Sequence, residues 1–198
     1  MKNYIVVGYY TKNTVYETEA RRLTKSLLKF GIPHCLEATE DLGGWYSNTN
    51  YKPYFLKKML NAFPNKAIVY IDCDAEFLAY PALFDEFALN ARVGVAVYVF
   101  DKTVEYKFSS GTEVLSGTVF LQNTKEVASV VDAWCSECSA QPLTWDQKSL
   151  EKVLGEFTVL PGEYCKIFDR MKDITNPVIV HHQASRKIQN KHVPLKRL

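Results

Sequence analysis

Runs of consecutive apolar residues alternate along this chain with stretches in which apolar positions recur every three to four residues. Tyr4 to Tyr10 reads as a buried strand. Val15 to Phe30 reads as a helix, with Ala20, Leu23, Leu27 and Phe30 on one stripe and Arg21, Arg22, Lys25 and Lys29 opposite. Gly31 is a fitting stop for it, with Pro33 just beyond. His34 to Thr39 follows as a second strand, and Asp41 to Asn50, rich in Gly, Ser and Asn, as a loop. Pro53 sits where a helix starts, continued by Phe55, Leu56, Met59, Leu60 and Phe63. Ala67 to Ile71 is the clearest strand, apolar throughout, as expected of a central strand covered on both faces. Beyond it the pattern predicts helices over Leu83–Asn90, Lys125–Cys138 and Trp145–Leu154. Strands are predicted over Arg92–Phe100, Val114–Leu121, Phe157–Leu160 and Val178–Val180. Such alternation argues for an α/β sandwich with a mostly parallel sheet, in which ligands bind beyond the carboxyl ends of the strands.

Composition narrows the class. The chain has 198 residues, 47% hydrophobic and 23% charged. That suits one domain with a sizeable core and excludes a disordered chain, a collagen-like repeat and a coiled coil. Twelve Tyr and eleven Phe suit a well-filled core and an aromatic-lined cleft. A net charge of +2 demands no nucleic-acid partner. The longest apolar run, Val93 to Phe100, is strand-sized and far from the roughly 18 residues of a membrane span. The N-terminus enters a strand at Tyr4 and shows no signal-peptide pattern. Five scattered cysteines fit reduced thiols in a cytoplasmic protein. Cys135 and Cys138 have the spacing of a zinc pair, but no second pair exists and both lie in a predicted helix, so they read as packing.

The candidate chemistry follows the clearest strand. Asp72 and Asp74 flank Cys73 directly after Ile71. In extended backbone, residues two apart point the same way, so the two carboxylates converge. At ~4 Å and an effective dielectric of 20 their repulsion is about 4 kcal/mol. A divalent cation removes it, and all-oxygen ligands favour Mg²⁺ or Mn²⁺ with positions open for phosphates. The plain alternative is a pair of solvated turn residues.

Several segments, in order, resemble the GT-A glycosyltransferases, enzymes that use nucleotide-sugar donors. They are Lys52-Pro53 opening a helix, Val69-Tyr-Ile-Asp-Cys-Asp74 ending a strand, Ser116-Gly117-Thr-Val-Phe-Leu121, Thr144-Trp-Asp-Gln147, and Val178-Ile-Val-His181-His182-Gln-Ala-Ser185. The resemblance covers most of the chain. It implies a GT-A (Rossmann-like) three-layer α/β sandwich over residues 1–185, followed by a basic tail over 186–198 that holds five Lys or Arg and no acid. It further implies that Asp74 holds Mn²⁺ or Mg²⁺ directly, while Asp72 binds ribose hydroxyls and shares the metal across Cys73. His181 or His182 would be the third ligand. Adjacent strand residues face opposite ways, and the His-x-Gln-Ala-Ser spacing favours His181. Ser116 and Gly117 would lie under the donor sugar beside Gln147. Tyr9 or Tyr10 would stack on a uracil whose edge Thr11 bonds. Lys52 and Arg186 or Lys187 would add positive charge at the diphosphate. Asp146 would contact a sugar hydroxyl or act as catalytic base, and also suits a helix N-cap.

The implied donor is a UDP-sugar. The acceptor is a hydroxyl of a glycan, a protein, a lipid or a modified DNA base, and the small size suggests that a partner chain or a homodimer completes its pocket. Two other readings stand beside this one. In a phosphatase-like hydrolase, Asp72 would be the nucleophile, but Ala75-Glu76 replaces the expected Gly-Thr and two βα units precede the motif. The third reading is a non-catalytic nucleotide or sugar binder of the same fold.

Overall fold

The structure is a computed structural model that describes residues 2–105 and 111–185. Its strands are β1 (Tyr4–Thr11), β2 (His34–Thr39), β3 (Ala67–Ile71), β4 (Ala75–Phe77), β5 (Val95–Asp101), β6 (Thr112–Leu121), β7 (Thr158–Val159), β8 (Lys166–Ile167) and β9 (Ile179–His181). Its helices are α1 (Val15–Lys29), α2 (Trp45–Asn50), α3 (Lys52–Ala62), α4 (Ala82–Leu89), the short α5 (Lys102–Glu105), α6 (Lys125–Ala140) and α7 (Asp146–Val153).

Six strands form one sheet in the order β2-β1-β3-β6-β5-β7. β6 pairs antiparallel with both β3 and β5, and the other ladders are parallel. Five strands therefore run one way, and only β6 is reversed. Alternate residues of β3 serve opposite faces. Ile68 and Tyr70 pack under α3, α6 and α7 with Phe55, Met59, Val131, Trp134 and Leu150. Val69 and Ile71 pack with Leu23 and Leu27 of α1 and Phe84 of α4. This two-sided burial is why β3 reads as an unbroken apolar run, and it makes the molecule the three-layer α/β sandwich expected. A small second sheet, β4-β9-β8, lies beside the carboxyl end of β3.

Three features depart from the sequence reading. The segment expected to be a loop contains α2. Its polar residues carry no apolar stripe. The Asp41 carboxylate accepts from the Gly43 and Gly44 amides, and the Asn50 side chain donates to the Thr144 carbonyl at 2.9 Å. Tertiary contacts therefore hold the helix. β4 and β8 are three- and two-residue strands, too short to show periodicity. Strand β5 starts at Val95 rather than Arg92.

Candidate active site

At the carboxyl end of β3 the backbone does not stay extended. The Ala75 amide donates to the Asp72 carbonyl at 3.0 Å, closing a turn over Asp72-Cys73-Asp74-Ala75. Asp72 and Asp74 therefore converge through a turn and not through strand alternation, because β4 must fold back to pair with β9. That pairing places Ala75 opposite His181. The Asp74 carboxylate accepts from the Ala184 amide at 2.8 Å and lies 4.0 Å from His181 Nδ1.

Asp72, Asp74 and His181 each offer a ligand atom, all within 4.8 Å of one another. Gly117 on β6 keeps this space open. A Cβ there would lie 3.1 Å from Asp72 Oδ2 and 3.2 Å from His181 Nδ1. Two carboxylate oxygens and an imidazole nitrogen around such a gap suit a divalent cation of the Mn²⁺ or Mg²⁺ kind. The ring is aimed from behind. His181 Nε2 lies 2.8 Å from Thr118 Oγ1, and that hydroxyl donates to the Tyr164 carbonyl at 3.0 Å. A hydroxyl has one proton, so Nε2 carries the ring's hydrogen and Nδ1 presents its lone pair to the carboxylates. His182 turns the other way and meets Glu76 at 3.2 Å.

Burial disfavours charge on these groups. It lifts the Asp74 carboxyl, an effect strengthened by Asp72 and opposed by His181. It also pulls the His181 imidazolium below its ordinary value, with Asp74 and Asp72 working against it. The ring therefore stays neutral and able to coordinate.

A second polar cluster adjoins the first. Lys52, at the start of α3, is 3% exposed. Its ammonium lies 2.8 Å from Asp146 Oδ2, 2.9 Å from Ser116 Oγ and 3.3 Å from Asp72 Oδ1. Burial alone pulls the Lys52 ammonium down, but Asp146 and Asp72 outweigh it and hold it above its ordinary value. Ser116 donates its hydroxyl to Asp146 at 2.7 Å, and its amide donates to Gln147 Oε1 at 3.2 Å. Gln147 in turn donates to Glu113 at 2.8 Å. Asp146 opens α7 as expected, but Trp145 holds the cap position. Burial raises the Asp146 carboxyl, while Lys52 and Ser116 work to keep it ionised.

One cleft of about 270 Å³ joins the pieces; Tyr9, Tyr10, Thr11, Lys52, Cys73, Asp146 and Gln147 line it with both aspartates. A second cavity of about 210 Å³ touches Gly117, Thr118 and His181. Tyr9 is packed between Tyr51 and Phe55, and its hydroxyl donates to the Asn48 carbonyl at 2.7 Å, so it forms a wall of the cleft. The Lys52 ammonium, expected near the diphosphate, is engaged by Asp146, Ser116 and Asp72. Arg186, Lys187 and the basic tail lie outside the described residues.

Tyr16 and Trp45 line the cleft without any motif in the sequence to mark them, and Tyr70, Thr118 and Trp145 stand inside the quoted motifs with no role given to them. Tyr70 left the plainest signal. It stands two residues before Asp72, on the same strand face, and donates its hydroxyl to Asp72 at 2.9 Å.

No protein-family model and no curated protein sequence matches the chain. Solved structures do. A glycosyltransferase involved in the glycosylation of the major capsid of PBCV-1 superposes with a TM-score of 0.67 at 16% identity, over 95% of this chain and 97% of that one. The glycosyltransferase GlyE of Streptococcus pneumoniae gives 0.65 at 16% identity, over 100% of this chain and 58% of that one. Mouse xyloside xylosyltransferase 1 gives 0.58 at 12%, over 96% and 99%. The chain is thus built on the GT-A-like glycosyltransferase fold.

Proposed function

We propose that residues 1–185 form a metal-dependent glycosyltransferase domain that moves a sugar from a nucleoside diphosphate sugar, with uridine as the base, to an acceptor hydroxyl. The observation that carries this reading is the Asp72–Asp74–His181 cluster, its ligand atoms within 4.8 Å of one another, at the carboxyl end of a central strand in this fold. That is where ligands of open α/β sheets bind. Five free cysteines suit a reducing cytoplasm, and among the described residues no helix is long and apolar enough to cross a membrane.

In this reading Asp72, Asp74 and His181 Nδ1 hold Mn²⁺ or Mg²⁺. When bound, the ion supplies Lewis-acid stabilisation of the charge that grows on the diphosphate as the bond from the sugar C1 to phosphate oxygen breaks. The chain does the rest. Tyr10 and Thr11 receive the base at the end of β1. Ser116 and the open backbone at Gly117 lie against the sugar. Asp146, paired with Lys52 at 2.8 Å, takes a sugar hydroxyl. Its carboxylate is already engaged by Lys52 and Ser116, so it serves in binding ahead of proton abstraction.

Thermal melting with UDP, GDP and CDP, each with and without Mn²⁺, tests the reading. A ligand at 100 times its dissociation constant stabilises by about 2.7 kcal/mol. A shift is expected that needs nucleotide and Mn²⁺ together and shrinks in Asp74→Ala. Equal stabilisation by every nucleotide without metal would support a plain binder. Phosphate release from simple phosphoesters, lost in Asp72→Asn, would support the hydrolase.

A further inference from the structure

We propose that Trp45 and Trp145 form the platform that holds the acceptor, and that the acceptor is a saccharide presenting a pyranose ring. The inference rests on the transferase reading and gives its acceptor a chemical class.

Both tryptophans line the cleft that contains Asp72, Asp74 and Asp146. Their ring centroids are 6.3 Å apart and the planes are tilted by 54°. Tyr46 packs edge-on against Trp45 at 5.1 Å, yet Trp45 remains 42% exposed. Trp145 is half-buried, so Trp45 is the large aromatic face left in water beside this polar cleft, an exposure that something covering it would explain.

The platform is fixed before any ligand arrives. The Asn50 side chain donates to the Pro142 and Thr144 carbonyls at 3.3 and 2.9 Å, tying α2 to the segment that carries Trp145. Asp41 pins the entry to α2 by accepting from Asn48 Nδ2 at 2.9 Å. Pre-organisation of this kind lowers the entropy lost on binding.

Position separates the Trp145 end of this platform from the donor base, while the Trp45 end, on α2, reaches toward β1, where the Tyr9 hydroxyl donates to the Asn48 carbonyl. Tyr10 and Thr11 end β1, and Ser116 lies on β6, two strands away across β3. At about 4.8 Å per strand that is roughly 10 Å. Trp145 is on the β6 side, one residue before Asp146. A ring stacked there sits beside the sugar end of the donor, where an acceptor hydroxyl has to be.

The chemistry of the walls selects the class. A pyranose has an apolar C–H face rimmed by hydroxyls. The tryptophan faces match the first, and the nearby Thr49 and Gln147 match the second. An acyl chain would need an aliphatic trough, whereas the cleft beside the tryptophans is lined by Asn48, Thr49 and Gln147.

Saturation-transfer NMR tests this on the full chain with UDP and Mn²⁺ present. The probes are maltotriose, cellotriose, xylotriose and tri-N-acetylchitotriose, with decyl phosphate and a Ser/Thr peptide as controls. At least one trisaccharide is expected to bind, with affinity falling tenfold or more in Trp45→Ala and in Trp145→Ala and within threefold of the parent in Trp45→Phe. The proposal is overturned if no trisaccharide binds, if binding survives both alanine variants, or if decyl phosphate or the peptide binds in the saccharides' place. UDP with Mn²⁺ failing to bind while a trisaccharide binds through the tryptophans would sink the transferase reading and leave the saccharide platform standing.

Discussion

The Lys52 ammonium and the Asp146 carboxylate meet at 2.8 Å, and both side chains are 4% exposed. They come from α3 and α7, which cover the same face of the sheet, and they close the floor of the cleft. A buried pair of this kind is weak evidence for stability as a whole, yet removing one partner strands the other charge.

Lys52→Met is accordingly expected to lower unfolding stability by about 3–5 kcal/mol. Urea titration followed by circular dichroism reads this directly. A loss below about 1 kcal/mol would mean that water reaches Asp146 freely.

Gly117→Ala is expected to leave the fold intact and close the metal cradle. The added methyl would stand 3.1 Å from Asp72 Oδ2 and from His181 Cε1, tighter than ordinary contact. Mn²⁺ affinity, measured by electron paramagnetic resonance, should fall at least tenfold while the melting temperature holds or rises, since alanine restricts the unfolded chain. Unchanged Mn²⁺ affinity would place the ion elsewhere.

Thr118→Val removes the hydroxyl that fixes the His181 ring and keeps the side-chain shape. Partners of metal-bound histidines are worth roughly 10–100-fold in affinity. That loss in Mn²⁺ binding is expected, with recovery in Thr118→Ser. Nitrogen-15 NMR of the metal-free protein should show His181 protonated on Nε2; protonation on Nδ1 would contradict the geometry.

The pH dependence has a definite sign. Burial holds the folded His181 pKa below its ordinary 6.5. As pH falls through about 6.5, the unfolded chain takes up this proton first, so the metal-free protein loses stability toward acid. The Asp74 carboxyl, raised by burial and by Asp72, acts in the opposite sense, and its destabilising effect eases as pH falls through the raised value. His181→Asn should flatten the loss just below pH 6.5, and Asp74→Asn should steepen the acid limb. Denaturant midpoints across pH 5 to 8, in the absence of metal, measure both. Parallel curves for the three proteins would show that neither group carries the dependence.

Local patterning alone determined much of the molecule. The apolar run Ala67–Ile71 marked a strand covered on both sides, and the acids after it marked the business end of the sheet. The stripe of α1 and the proline opening α3 placed those helices within a residue or two. These features are legible because burial imposes a period on the sequence.

Only the tertiary structure decided how the acids converge and which partners Lys52 meets, and it agrees with the motif spacing in setting His181 beside the acids. The turn at Asp72–Ala75 exists because β4 pairs with β9, and the Asp74 contact with Ala184 spans 110 residues. The α2 helix and the pairing of Trp45 with Trp145 depend likewise on contacts between distant segments. Charge and hydrogen-bond partners of this kind are set by which strands become neighbours, and local periodicity carries no record of that choice.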